Sequence, residues 1–150
     1  MGVEIHIRNA FAEDIGDMVG LLGELFAIED DFTIDPLKQT QGLELMLQKP
    51  DAKILVAVRE NRVVGMISMQ SLISTAIGAH VGLIEDMIVS AEFRGLGIGK
   101  RLLAAMIEES EQLGYERLSL GTDRRNESAV CFYEGIGFKM SNMGLMYRSL

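Results

Sequence analysis

Apolar positions along the chain alternate between strand-like and helix-like spacing. Residues 3–8 alternate apolar and polar side chains, the period-two signature of a strand. Ile15, Met18, Val19, Leu22, Leu25 and Phe26 then recur at helical spacing and define one apolar face. Asp35 followed by Pro36 offers an N-cap and a proline at the first helical position. A second helix is therefore expected from there to about Gln48, weakened by Gly42. Residues 54–58 and 63–69 are β-rich runs separated by Arg59-Glu60-Asn61-Arg62, a hairpin signal. Residues 74–79 read as a loop and 81–89 as another strand. Ile98, Leu102, Leu103, Met106, Ile107 and Leu113 form the apolar stripe of a further helix. Its wet face carries Lys100, Arg101, Glu108, Glu109, Glu111 and Gln112, and Gly114 is its stop. A strand at 117–122, a short helix at 126–135 and two short strands near Phe138 and at 145–148 complete the expectation. No repeat or low-complexity stretch interrupts the pattern, so residues 1–150 read as a single mixed α/β domain.

Composition narrows the function. With 48% hydrophobic and 24% charged residues, the 150-residue chain can bury a real core. Its net charge of −8 argues against nucleic acid or an anionic membrane surface as partner, because both require Lys/Arg-rich faces. The same charge is compatible with a cationic substrate. One cysteine, Cys131, excludes an internal disulfide framework and suits a reducing, cytoplasmic location. Gly2 lacks the Ser or Thr that a myristoylation motif needs where His6 stands, and no apolar run is long enough for a signal peptide or a membrane span. His6 and His80 lie far apart with no cysteine cluster nearby, so no metal site is expected.

The sharpest chemical signal is Arg94-Gly95-Leu96-Gly97-Ile98-Gly99-Lys100, between a strand and an amphipathic helix. Glycines there let the backbone approach a ligand without Cβ collisions. The helix N-terminus adds free N–H groups and the positive end of its dipole, which together make a phosphate cradle. A P-loop does not fit: three residues separate Gly95 from Gly99, and Arg101 follows Lys100 where Ser or Thr is needed. A dinucleotide fingerprint requires glycine where Lys100 stands, and it opens the first βα unit of its fold. The pattern Arg/Gln-x-x-Gly-x-Gly is matched by Arg94, Gly97 and Gly99. The bland alternative is a glycine-rich tight turn with no ligand.

A second block follows: Asn126, then Ala129, Phe132 and Tyr133, closed by Gly137-Phe138. In this order and spacing the two blocks resemble the GNAT superfamily of N-acetyltransferases. The likeness is sharp from Leu83 to Phe138 and faint before it. It implies a central, mostly antiparallel mixed sheet flanked by helices on both faces. It implies acetyl-CoA as cosubstrate, with the pyrophosphate on the amides of Arg94, Gly95, Leu96, Gly97, Ile98, Gly99 and Lys100. The pantetheine would run beside Met87, Ile88 and Val89 like an added strand. Asn126, with Ala129 in the same block, would reach the pantetheine, and Tyr133 would lie near the sulfur. A homodimer is common in such proteins. One departure is Phe11, where the family often has a Thr or Ser cap.

Acetyl transfer to an amine needs a neutral nucleophile, a donor for the developing oxyanion and a proton for the leaving thiolate. Tyr133 is the candidate acid, against an ordinary packed aromatic. A backbone N–H near Ile88 is the candidate oxyanion donor. Glu85 is the candidate base, acting through water, against a solvated or ion-paired carboxylate. Asp86 would face the other way if the strand is regular, although a bulge would upset that parity. Cys131 stands two residues from Tyr133 on one helix, so the two face differently, and Cys131 is expected to be buried packing. The competing function is a coenzyme A-binding regulatory module without catalysis. A nucleotide-binding protein of another class is disfavoured by the loop spacing. The acceptor is an amine of unread identity. Glu29, Asp30 and Asp31, with Asp35 close behind, either steer a protonated amine or form a plain solvated loop.

Overall fold

The computed structural model describes residues 4–150. In chain order the elements are β1 His6–Asn9, α1 Ile15–Ile28, α2 Pro36–Gln48, β2 Ala52–Arg59, β3 Arg62–Ser74, β4 Ala79–Val89, α3 Ile98–Gln112, β5 Leu118–Leu120 and α4 Glu127–Gly135. Val3, expected to open the first strand, lies outside the described residues. Packing divides the chain into a unit that ends at Ser119 and a second from Leu120 to Leu150.

The strands form one sheet in the order β1-β2-β3-β4-β5, and the first four pair antiparallel. The β2–β3 turn is tight: Glu60 and Asn61 both have positive φ, and Arg59 pairs with Arg62. Asn tolerates that backbone because its short polar side chain can bond locally. The β3–β4 hairpin is longer than the apolar pattern suggests. Ser74 pairs with Ala79, so Ser71 to Ser74 continue β3, and Ala79 and His80 open β4.

Burial explains why β2 and β3 read as nearly continuous apolar runs: both of their faces are covered. One face carries Ile54, Val56, Val58, Val63, Met66 and Ile88, packed with Met18, Leu21, Leu22 and Leu25 of α1 and Leu43 of α2. The other faces α3. A Cβ on Gly65 would meet Leu102 and Ile98, Ser110 Oγ, which donates to the Met106 carbonyl at 2.7 Å, lies 3.2 Å from Met69 Sδ, and Lys53 Nζ pairs with Glu109 at 3.0 Å. Of the stripe expected for α3, Ile98, Leu102, Leu103 and Met106 are buried and Ile107 half-buried, whereas Leu113 lies past the last helical residue and is exposed. Gly82 marks a close approach: a Cβ there would lie 2.5 Å from Leu118 and 2.6 Å from Met69. Only glycine lets β5 settle there, where the Gly82 N–H donates to the Arg117 carbonyl at 3.0 Å.

In the second unit, α4 buries no residue fully. The two strands expected near Phe138 and at 145–148 do not form. Leu145, Met146 and Tyr147 are exposed, so no buried face fixes a register for them. Among the described residues, no helix is long and apolar enough to cross a membrane.

Candidate active site

β4 leads from the hairpin to a short turn, and the turn leads into the glycine loop, so the two stretches singled out in the sequence are joined by one strand and one turn. Its pairing with β3 is regular from Gly65–Val89 to Ile67–Met87, then resumes at Met69–Ile84. Ser68 thus opposes both Glu85 and Asp86, which is a β-bulge with its extra residue in β4. Parity shows the effect. Ile84 and Ile88, four residues apart, would share a face in a regular strand. Here Ile88 packs under α1, while Ile84 pairs with Met69 on the α3 side.

The bulge changes which carboxylate is interesting. Counting back from Ile88, Asp86 belongs to the α1/α2 face. Its backbone N–H donates to Ser68 Oγ at 3.1 Å, and that hydroxyl lies 3.4 Å from Asp86 Oδ2. Ser68 itself is fully buried. Burial disfavours the Asp86 carboxylate and the neighbouring charge of Glu85 adds to that, whereas the Ser68 hydrogen bond opposes it. The net result is an Asp86 pushed up to about 6. Glu85, the base expected from the sequence, is exposed. Strand parity turns Asp86 away from Glu85 only if the strand is regular, and the bulge that the sequence reading allowed for is present and upsets that parity.

Past β4, Ser90–Phe93 makes a short turn in which Phe93 is buried and the Ala91 N–H donates to Glu24 of α1 at 3.1 Å. Arg94 Nε donates to the Val89 carbonyl at 3.1 Å, which ties the loop back to the strand it leaves. Gly95 and Gly97 both have φ near +78°, a left-handed backbone costly for any residue with a Cβ. Gly97 is the N-cap of α3 and no side chain caps the helix there. Open space surrounds the position of a Cβ at both glycines. Arg94, Leu96 and Lys100 are exposed, whereas Ile98 anchors the helix in the core. The uncapped first amides of α3, flanked by two cations, form a ready anion cradle. β5 has 3 residues against 11 in β4, and the two meet where the Gly82 N–H bonds the Arg117 carbonyl, so most of that edge of β4 runs past its neighbour.

In the second unit, Asn126 is the N-cap of α4 and its Oδ1 accepts from the Ala129 N–H at 3.1 Å. Its amide NH2 is the part left to donate elsewhere. Tyr133 is half-buried and packs edge-on against Phe132 and Phe138, with ring centres 5.3 and 6.0 Å away. Cys131 is exposed rather than buried packing. A short helix that fully buries none of its residues gives a thiol on its outer side nothing to pack into.

The missing Thr or Ser cap before α1 is replaced locally. Asp14 accepts from the Phe11 N–H at 2.7 Å and from the Arg8 guanidinium at 2.8 and 3.1 Å. The Arg8 hydrogen bond, with that of the Phe11 amide, holds the Asp14 carboxyl below its ordinary value.

Comparison with known proteins agrees with this geometry. Residues 22–138 match the profile of the acetyltransferase (GNAT) family. An aminoalkylphosphonate N-acetyltransferase from Salmonella typhimurium is 32% identical over 136 residues, covering 91% of this chain and 86% of that protein. A crystal structure described as a transcriptional regulator from Bacillus halodurans C-125 superposes with TM-score 0.87 at 26% identity, covering 97% of this chain and 100% of that one. An aminoglycoside N-acetyltransferase in complex with CoA shares the fold, with TM-score 0.85 at 19% identity over 99% of this chain and 97% of that one. A glycine loop of the expected kind, on a mostly antiparallel sheet as expected, within a profile match that spans most of the sequence, makes this chain an acetyltransferase of the GNAT family.

Proposed function

We propose that the protein transfers an acetyl group from acetyl-CoA to a primary amine by direct attack of the amine on the thioester. The observation that carries this reading is the open, uncapped N-terminus of α3, with left-handed Gly95 and Gly97 at the end of β4. The residues present suit a pyrophosphate: amides without side-chain caps, room where side chains would stand, and the charges of Arg94 and Lys100. Met87, Ile88 and Val89 offer backbone groups for the pantetheine, and Asn126, beside Ala129, a side-chain amide. Acetyl-CoA supplies an activated acyl thioester.

The remaining work falls to the chain's own groups. An amine attacks only when neutral, and it must lose a proton once its bond to the acyl carbon has formed. The base is one of the two carboxylates at the bulge. Glu85 is the solvent-linked member, and Asp86 has the value suited to accepting a proton near neutrality. Tyr133 gives its phenolic proton to the departing sulfur as the carbon–sulfur bond breaks. A backbone N–H near Ile88 steadies the negative oxygen. The products are the acetamide and free coenzyme A, and both side chains regain their starting states through solvent. No covalent acetyl-enzyme at Cys131 is required.

The acceptor is proposed to be a small cationic amine. Relatives named for aminoalkylphosphonate and glucosamine 6-phosphate acetylation support a small amine. The exposed Asp30 and Asp31 supply a field that would draw a cation. The test is a panel of aminoalkylphosphonates, amino sugars, aminoglycosides and polyamines incubated with acetyl-CoA. Release of free thiol with mass confirmation of the N-acetylated amine is the expected result. Tight acetyl-CoA binding with no turnover across the panel would favour a coenzyme A-binding regulatory module instead.

A further inference from the structure

Ser68 is a polar residue placed where the core would otherwise take an apolar one. Its neighbours two positions away on the same face are Met66, packed with α1, and Gln70, which accepts from Lys49 at the end of α2. Its cross-strand partner on β2 is Ile54, also in the α1/α2 core. A fully buried hydroxyl at such a point carries a desolvation cost unless its hydrogen bonds are met. Both of its bonds go to one residue: the Asp86 N–H donates to it, and it donates to the Asp86 carboxylate. The bulge displaces Glu85 from the ladder and leaves the next amide without its ordinary strand partner; the serine oxygen takes that amide's bond.

We propose that Ser68 is a positioning residue for acetyl transfer: its buried hydroxyl closes the β4 bulge and fixes Asp86, not Glu85, as the carboxylate that takes the acceptor amine's proton. The inference rests on the acetyltransfer reading above and adds which carboxylate acts and what holds it. The surroundings of Asp86 isolate this effect. On α1 the carboxylates of Asp17 and Glu24 accept from the Val63 and Ala91 amides. β3 from Gly65 to Ser74 and β5 carry no charged residue, and His80 on β4 is bonded to Ser71. The charges of α3 belong to the opposite face of the sheet, and those of α2, Lys38 and Glu44, to a helix packed on β2 and α1. Glu85 is the charge that acts on Asp86.

Two measurements test the proposal on the whole chain. Protein labelled with carbon-13 at the aspartate carboxyls is titrated by NMR, with Asp86→Asn assigning the resonance. The wild-type midpoint is expected near 6. In Ser68→Ala the loss of a donor to the carboxylate should raise it by roughly half a unit to one unit. The acid limb of kcat/KM, followed with an aminoalkylphosphonate and any other amine that turns over, should move up by the same amount while the KM for acetyl-CoA stays put. Ser68→Thr, which keeps the hydroxyl, should restore the wild-type limb. An unmoved midpoint in folded Ser68→Ala overturns the proposal. A shifted carboxyl with an unmoved acid limb overturns it as well, since Ser68 would then serve the fold alone. A wild-type protein that acetylates no amine contradicts the acetyltransfer reading itself, and it is distinguishable because the NMR midpoints do not depend on turnover.

Discussion

At Glu85–Asp86 the chain sets two carboxylates against a buried serine, and at Gly95–Lys100 it strips side chains away. The first region works by crowding: an extra residue is forced into β4 and a carboxylate loses solvent. The second works by vacancy, with two left-handed glycines opening the end of a helix and nothing filling the space beside them. Crowding raises the proton affinity of one side chain, which suits a proton acceptor. Vacancy presents backbone dipoles, which suits an anion. The end of β4 and one short turn join the two, so the proposed acid–base half and the proposed anion half are close in sequence yet depend on different physics. They should therefore fail separately.

The largest effect should come from Asp86→Asn, which removes the proposed proton acceptor. The value of kcat/KM should fall on the order of 10²-fold or more in steady-state assays. The same variant should be more stable at pH 7.5. In the fold Asp86 holds its proton to about 6, against 3.8 for the unperturbed group, so stability is lost as pH rises between those values and the penalty persists above them. Removing the charge should return about 1–3 kcal/mol at pH 7.5 and nothing at pH 3.5, read from thermal or urea unfolding. A variant that loses stability at pH 7.5 while keeping its activity would break the crowding account.

Tyr133→Phe should lower kcat on the order of 10²-fold with acetyl-CoA affinity unchanged, if the phenol protonates the leaving thiolate. Wild-type kcat under conditions where chemistry is rate-limiting would return Tyr133 to its packing against Phe132 and Phe138.

Glu85→Gln sharpens the contrast between the two bulge carboxylates. Its charge pushes Asp86 upward, so its removal should move the acid limb to lower pH and cost less than about tenfold in kcat/KM. A loss as large as that of Asp86→Asn would make Glu85 the base after all.

The smallest effect belongs to the loop after α1. Replacing Asp30 and Asp31 by Asn should raise the KM of a cationic acceptor by a few-fold and flatten its salt dependence, because exposed charges act through a screened field. Identical KM and salt slope would leave that segment a solvated loop.

Legibility in the sequence followed the same divide. The glycine loop could be read directly, because φ near +78° and close backbone approach are requirements that only glycine meets cheaply, and they leave a mark in residue identity. Helices α1 and α3 were equally plain, since periodicity records a buried face, whereas α2 was the weaker signal and was read from its Asp35-Pro36 start, which is where the cap stands. The sequence allowed for a bulge in this strand but did not place it. A bulge is a shift in register between two strands, and the residues on either side of it look alike whether the extra one lies in β3 or β4. Asp86 consequently took the wrong face in a parity count. Leu72 and Ile73 extend β3 through an exposed hairpin that no core face announces. At the far end, residues 145–148 have strand-like composition, yet their side chains are exposed and the strand does not form. Cys131 is expected to pack because it faces away from Tyr133 on one helix and is an often-buried residue type, while exposure is decided by how little α4 buries.

The claim that the two halves are physically separate is tested most directly by calorimetric titration of acetyl-CoA into three proteins side by side. Wild type and Asp86→Asn should bind with the same affinity at one site per chain. Gly97→Val, which puts a branched side chain on a left-handed backbone at the uncapped start of α3, should bind at least about tenfold more weakly, or ~1.4 kcal/mol, with its fold confirmed by circular dichroism. Unchanged affinity in folded Gly97→Val, or a matching loss in Asp86→Asn, would contradict the account.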